Sequence, residues 1–307
     1  MRARLFHPLP GVGARRTAFL ALFFVLTGLV MAQRFGRGGF MGGGEGGAGR
    51  GDARTAREIP THSTGTPMWE NPRGFEKDVF TFSRIRYSYG RSAGYYGRRG
   101  GSWATDTPDS DLNLSFRLQQ MTSLKCSPDG RIIELTDPDL AEYPWIYIVE
   151  PGGLGFTDLE VVALRKYLLN GGFLMFDDFW GDSAWQNVER EMKHVFPDRG
   201  FTELSLDHPL YSCVFQIKSK GQVPNVRTGE ESQHTGVTWE HHDGDTQTVH
   251  HRAIHDDKGR MMVFAAHNTD NGDGWEREGE YEYYFKNFSE KIAYPLGINV
   301  VFYAMTH

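Results

Sequence analysis

The sequence predicts an α/β domain with a largely parallel sheet, on three observations. Trp145 to Val149 is a short apolar run of the kind buried on both faces of a sheet. Thr157-Asp-Leu-Glu160 opens a helix as a capping box, in which threonine and glutamate satisfy each other's orphan amides, and Gly171-Gly172 stops it. Phe173 to Asp178 then returns as a second apolar strand. The stretch is one β-α-β unit, and it delivers Asp177 and Asp178 to the edge where open α/β sheets bind ligands.

Before this unit, Arg2, Arg4, Arg15 and Arg16 precede an uncharged run, Thr17 to Gln33, that ends on Val30-Met31-Ala32. This pattern predicts a secretory signal peptide over 1–32, cleaved after Ala32, with an uncleaved membrane anchor as the alternative. The expected location is therefore periplasmic or extracellular. Residues 33–77, with RFGRGGFMGGGEGGAGR at their start, read as a flexible Gly/Arg-rich linker. The domain proper is expected over 78–307.

Within it, Val79 to Ser88 alternates as a strand, Asp109 is placed to cap a helix running to about Thr122, and Arg131 to Thr136 is a short strand. After the central unit, Ser183 to Phe196 carries Trp185, Val188, Met192 and Val195 at helical spacing. Strands are expected at Val214–Ser219, Gly236–His242, Thr248–Asp256 and Arg260–Asn268, the last two joined as a hairpin by Asp257-Lys258-Gly259. An aromatic helix around Glu280 to Lys291 and a helix over Pro295 to Thr306 close the chain, with proline in a first turn.

Removing 1–32 leaves 29 basic against 39 acidic residues, a formal charge of −10. So acidic a chain excludes nucleic acid as the natural partner, and membrane contact is expected only through an uncleaved N-terminal segment. A small molecule or an envelope protein is the expected partner. Cys126 and Cys213 allow one bridge and no disulfide framework, and neither has metal-site spacing.

The joint order of Phe82 to Tyr87, Trp103-x-Thr-Asp106, Asp111-x-Asn113, GGFLMFDDFWG at 171–181, Phe196-Pro197, Asp207-His208-Pro209 and GINVVFYAMT resembles the bacterial DUF4159 family, over essentially all of 78–307. That family in turn resembles the class I glutamine amidotransferase-like superfamily. The resemblance implies a flavodoxin-like three-layer α/β/α sandwich, here with extra β-hairpin elements in the C-terminal half, and transmits no activity. Those enzymes carry a cysteine at a sharp strand-to-helix turn. The corresponding turn here, Asp177 to Gly181, has neither cysteine nor serine.

Carboxylate chemistry is the replacement the residues suggest. Asp177, Asp178 and His208 are the catalytic candidates, and with Asp106 and Asp111 they form an oxygen-rich set for a divalent metal or an acid and base pair. Trp103, Asp106, Asp111, Asn113 and Trp180 are expected to line a ligand site. Arg84, Arg86, Tyr87, Tyr95, Tyr96, Arg98 and Arg99 form an aromatic and cationic cluster for an anionic or sugar ligand. Seven of the twelve histidines lie between His234 and His267; among them His241, His250 and His255 are metal candidates if the strand register brings them to one side. Asp270 and Asp273 lie in a calcium-like loop without EF-hand spacing. The expected function is a non-catalytic ligand-binding or assembly module, with a metal-assisted hydrolase as the alternative.

Overall fold

The computed structural model describes residues 51–75, 78–88 and 102–307. The N-terminal segment and Tyr95, Tyr96, Arg98 and Arg99 lie outside them. Ala48–His307 forms one compact unit around a seven-stranded sheet. The strands are β1 (Ser83–Ile85), β2 (Arg131–Ile133), β3 (Trp145–Val149), β4 (Phe173–Asp177), β5 (Thr202–Glu203), β6 (His250–His255) and β7 (Met261–His267), in the order β2-β1-β3-β4-β7-β6-β5. The first five in that order run parallel, and β6 and β5 are added antiparallel. The C-terminal ends of β3, β4 and β7 therefore share one edge.

Strand alternation divides the core in two. Trp145, Tyr147 and Val149 join Phe173 and Met175 on one face, beneath α1 (Asp109–Met121) and the helices that follow β7. Ile146 and Ile148 join Leu174 and Phe176 on the other, beneath α2 (Asp158–Leu169) and α3 (Gly181–Val195). Burying each such Ile, Leu or Phe stabilises the fold by about 1.5–3 kcal/mol. Both faces are covered, which is why β3 and β4 are apolar at every position up to Val149 and Phe176.

The capping box at Thr157 and Glu160 is formed as the sequence implies, with both reciprocal hydrogen bonds made. The β6–β7 hairpin is also present. Asp109 does not cap α1. It is the first helical residue, after Pro108, and its carboxylate accepts hydrogen bonds from the Thr61 hydroxyl and the His62 amide.

The expected strands at 214–219 and 236–242 are not strands. Phe215 and Ile217 sit in irregular chain pinned by Asn299 and by the Tyr211 carbonyl. Between those segments lies α4 (Val226–Thr235), a polar helix with one aliphatic side chain, Val226, that buries Gly229 and Ser232. Its signals were at its ends, where Asn225 caps the Thr228 amide and Gly236 turns left-handed. The loop 268–276 folds as a buried single-turn helix, α5 (Asn271–Glu276). The closing helices are one continuous run: α6 (Glu282–Tyr284), a π-helical stretch Phe285–Ala293, and α7 (Tyr294–Thr306). Pro295 has no amide to give, and a helix wound more widely before it relieves the clash of its ring with the preceding turn.

Part of the segment expected to be linker is packed instead. Ala53, Ala56 and Ile59 are buried, Arg57 donates to the Pro128, Thr66 and Pro67 carbonyls, and Thr66 donates to Asn113. Small and apolar side chains at those positions allow this, although the surrounding composition is polar. Among the described residues, no helix is long and apolar enough to cross a membrane.

Candidate functional site

A cleft of about 1140 Å³ opens at the C-terminal edge of the parallel strands. Acids or an amide stand just beyond the ends of β3, β4 and β7. Glu150 follows β3, Asp178 follows β4, and Asn268 and Asp270 follow β7. Asp106 enters from the loop before α1. Glu150, Asp178, Asn268 and Asp106 all have positive φ, at 47°, 53°, 61° and 62°. For residues with a Cβ this left-handed conformation is costly, and clusters of it mark functional sites.

Hydrogen bonds hold these loops in place. Asn268 accepts from the Gly181 amide and donates to the Asp245 and Thr248 carbonyls. Trp180 donates to Asp178 at 3.1 Å and stacks on His242. Asp243 caps the start of α3 by accepting from Ser183 amide and hydroxyl, which holds its carboxyl below the usual range.

The floor is acidic. Asp270 caps α5 by accepting the Asp273 amide, and Asp273 and Glu276 project from one face of that helix, three residues apart. Ligand atoms of Asp106, Asp273 and Glu276 all lie within 4.8 Å of one another. Asp106 Oδ2 is inaccessible and has no hydrogen-bond partner among the described residues. Asp273 accepts from the Val226 amide and from Arg277 at 3.3 Å, and Glu276 pairs with Arg277 at 2.8 Å.

One arginine cannot neutralise this set. Burial, then Glu276 and Asp273, pushes Asp106 well above the ordinary carboxylate range. Burial and the charges of Glu150 and Glu240 do the same to Asp178, and burial with Asp178 and Asp106 does so to Asp270. Glu276 is pushed up to about 8, by burial against the opposing charge of Arg277. Crowded carboxylates of this kind either take up protons or hold a cation between them.

Of the residues singled out in the sequence, Asp106, Asp178, Trp180, His241, Asp270 and Asp273 line this cleft. Asp177 lies beneath it, buried, accepting from Tyr147 at 3.0 Å, Asn271 at 2.8 Å and the Gly272 amide at 2.9 Å. Burial raises it to about 6 despite those bonds. β4 ends at Asp177, and the left-handed backbone at Asp178 separates the two aspartates: Asp177 supports α5, and Asp178 lines the cleft.

Arg84, Asp111 and Asn113 do not face the cleft. Arg84 and Asp111 are fully buried, joined at 3.0 and 3.1 Å through Nε, and Arg84 also donates to the Trp103 and Thr105 carbonyls, so the pair supports the loop that presents Asp106. Asn113 donates to the Trp275 carbonyl and so ties α1 to α5. Arg86 lies over the buried Trp103 ring at 5.0 Å and donates to the Ala53 carbonyl, and Tyr87 donates to the Val149 and Glu150 carbonyls. These side chains build the scaffold.

The histidines do not converge. His250 stacks on His267 on the α3 side of the sheet, whereas His255 lies beside His208, which packs on Tyr303 of α7. Because β6 runs antiparallel, its end at His255 is at the edge away from the cleft, and His208 is there with it. Both cysteines are free: Cys126 is buried, its thiol pushed up to about 12 by burial, and Cys213 contacts the Leu210 and Asn299 carbonyls. Sequence reasoning missed Glu150 and Glu240. Glu150 had a usable signal, since it follows β3 as Asp178 follows β4; Glu240 lies in irregular chain and had none.

A family model described as Domain of unknown function (DUF4159) matches residues 81–305. No curated protein matches the chain.

Proposed function

We propose that this chain, which belongs to the DUF4159 family, is a ligand-binding module whose cleft holds a divalent cation on Asp106, Asp273 and Glu276. The observation that carries this reading is the convergence of those three ligand atoms within 4.8 Å together with the unpartnered oxygen of Asp106. An all-oxygen donor set suits a hard cation such as Ca²⁺, Mg²⁺ or Mn²⁺. The cation would neutralise the floor and present a free coordination face to an oxygen-bearing ligand in the cleft, with Arg190 and Arg227 at its lining. Calorimetric titration of the purified chain with each of the three ions should give one saturable site, abolished in Asp106→Asn. Absence of uptake for all three ions overturns the reading.

The scaffold reading is that of a flavodoxin-like sandwich similar to the amidotransferase-like superfamily. The parallel order β2-β1-β3-β4-β7 supports it, since it is the doubly wound order with its site at the strand ends. The nucleophile turn of those enzymes is occupied here by Asp178, which supports binding over thiol chemistry. The second reading, a metal-assisted hydrolase, is favoured by one observation: Asp178 is held left-handed at the end of β4 with a raised carboxyl facing the cleft, as a general acid would be. In that reading Asp273 and Glu276 join Asp106 in the metal set, and His208, at the other edge, leaves it. A cation-dependent turnover lost in Asp178→Asn, with cation binding retained, would select it. We read 1–32 as an export signal, on its basic start and apolar core.

A further inference from the structure

A second cavity, of about 340 Å³, shares no lining residue with the acidic cleft. Its apolar wall is Phe215, Ile217, Ile292 and Leu296. The wall is set in advance, because Asn299 bonds both the amide and the carbonyl of Phe215 and the Ile217 amide donates to Tyr211. Lys218 and Lys291 line the same cavity and are exposed. Lys291 and Ile292 belong to the last turn of the π-helical stretch, a winding that recurs at functional sites.

The buried polar group in its lining is the imidazole of His251. The residue is 1% exposed, its Nδ1 is 2.9 Å from the Tyr211 hydroxyl, and its Nε2 has no partner among the described residues. Burial holds the ring neutral, at a pKa of about 3, and raises the Tyr211 phenol, so both groups are uncharged. Among the described residues the Tyr211 hydroxyl hydrogen meets no acceptor but Nδ1, and we assign the hydroxyl as the donor of that bond. Nε2 then carries the ring hydrogen and is a donor. A buried donor with no acceptor is unfavourable, and a bound acceptor oxygen restores the missing bond.

We propose that this cavity binds a small organic acid: its carboxylate meets Lys218 and Lys291 at the mouth, its apolar body lies on Ile217, Ile292 and Leu296, and a hydroxyl or carbonyl oxygen at its far end accepts the His251 Nε2 hydrogen. Charge selects the acid, and the buried donor selects the far oxygen. The inference does not rest on the cation reading of the cleft.

The test uses the full chain and three probes of one size: 4-hydroxyphenylacetate, phenylacetate and tyramine. 4-Hydroxyphenylacetate should bind saturably and shift the His251 ring resonances in NMR spectra. Phenylacetate, lacking the far oxygen, should bind at least tenfold more weakly, and tyramine should not bind. Lys218→Glu, at an exposed position, should weaken the hydroxy acid at least fivefold, and Ile217→Trp should fill the cavity and abolish binding. Equal binding of the two acids, binding of tyramine, indifference to Lys218→Glu, or no binding by any probe overturns the proposal.

Discussion

Gly272 and Asp106 interlock, because Asp106 Oδ2 occupies the space in which any other residue at 272 would carry its Cβ. The same Cβ would press on the Tyr147 hydroxyl at 3.0 Å, and the Gly272 amide is already committed to Asp177. Two acids and a tyrosine thus meet across one residue without a side chain, and α5 can lie close enough for Asp273 and Glu276 to reach Asp106. Gly272→Ala should cost about 1–3 kcal/mol by overpacking and move Asp106 off the other two acids. Thermal unfolding with and without Ca²⁺ would show both effects, as a lower midpoint and a smaller calcium-induced rise.

Asp178→Asn should have opposite effects in the two conditions. Asparagine tolerates the left-handed backbone at 178 and replaces a carboxyl whose ionisation burial, Glu150 and Glu240 oppose, so the protein in chelator should gain stability, by about 0.5–1 kcal/mol. The rise in midpoint produced by a divalent cation should shrink. A melting comparison of the two proteins in chelator and in calcium checks it.

The buried Arg84–Asp111 pair should be costly to break. Arg84→Met leaves Asp111 uncompensated in the core, and loss of about 3–5 kcal/mol is expected in denaturant unfolding. The Trp103 and Thr105 carbonyls lose their donor in the same variant, so a proteolytic site should appear in the loop 103–107.

The pH dependence has a defined sign. Glu276, raised from 4.5 to about 8, keeps its proton when folded at pH values where the unfolded chain has lost it. The stability this contributes is complete below about pH 4.5 and is lost as pH rises through 8. Asp106, Asp178 and Asp270 act in the same direction. The buried His251 and His267, lowered to about 3 and 4 from 6.5, oppose this only in more acidic solution. Between pH 6.5 and 8 the cation-free protein should therefore lose stability, by up to about 1.4 kcal/mol per pH unit for each proton released. A saturating divalent cation should abolish the slope, which melts across that range would reveal.

His208→Ala should leave cation binding in the cleft unchanged, since His208 lies at the other edge with His255 and Tyr303. Calorimetry with Ca²⁺ decides this, and a loss of affinity would mean that the two edges are coupled.

How much of this was legible in the chain depended on where each signal was written. The unit from Trp145 to Asp178 was readable because its strands are apolar on both faces and its helix is marked at both ends. Asp178 was readable for the same reason. The helix Val226–Thr235 was not, because it is held by its ends and by Tyr284 and Phe288, with little apolar stripe of its own. The acidic floor was half readable: Asp106, Asp270 and Asp273 stood out singly, but their meeting depends on Gly272, whose role is an absence of atoms. Arg84 and Asp111 looked like binding residues because charge in a sequence reads as surface, and only the fold shows that they neutralise each other in the core.

The stretch from Ala53 to Thr66 redefines what counts as a minimal protein here. A truncation designed on the recurring family segment, starting at 81, would remove the Thr61 and His62 donors from Asp109 and the Thr66 donor from Asn113, and would uncover the wall against which Ala56 and Ile59 rest. The start of α1 would then hold a bare carboxylate and an amide released from its strap, directly behind the acids of the cleft. The packed unit includes Ala53, and expression boundaries chosen from family recurrence would cut through it.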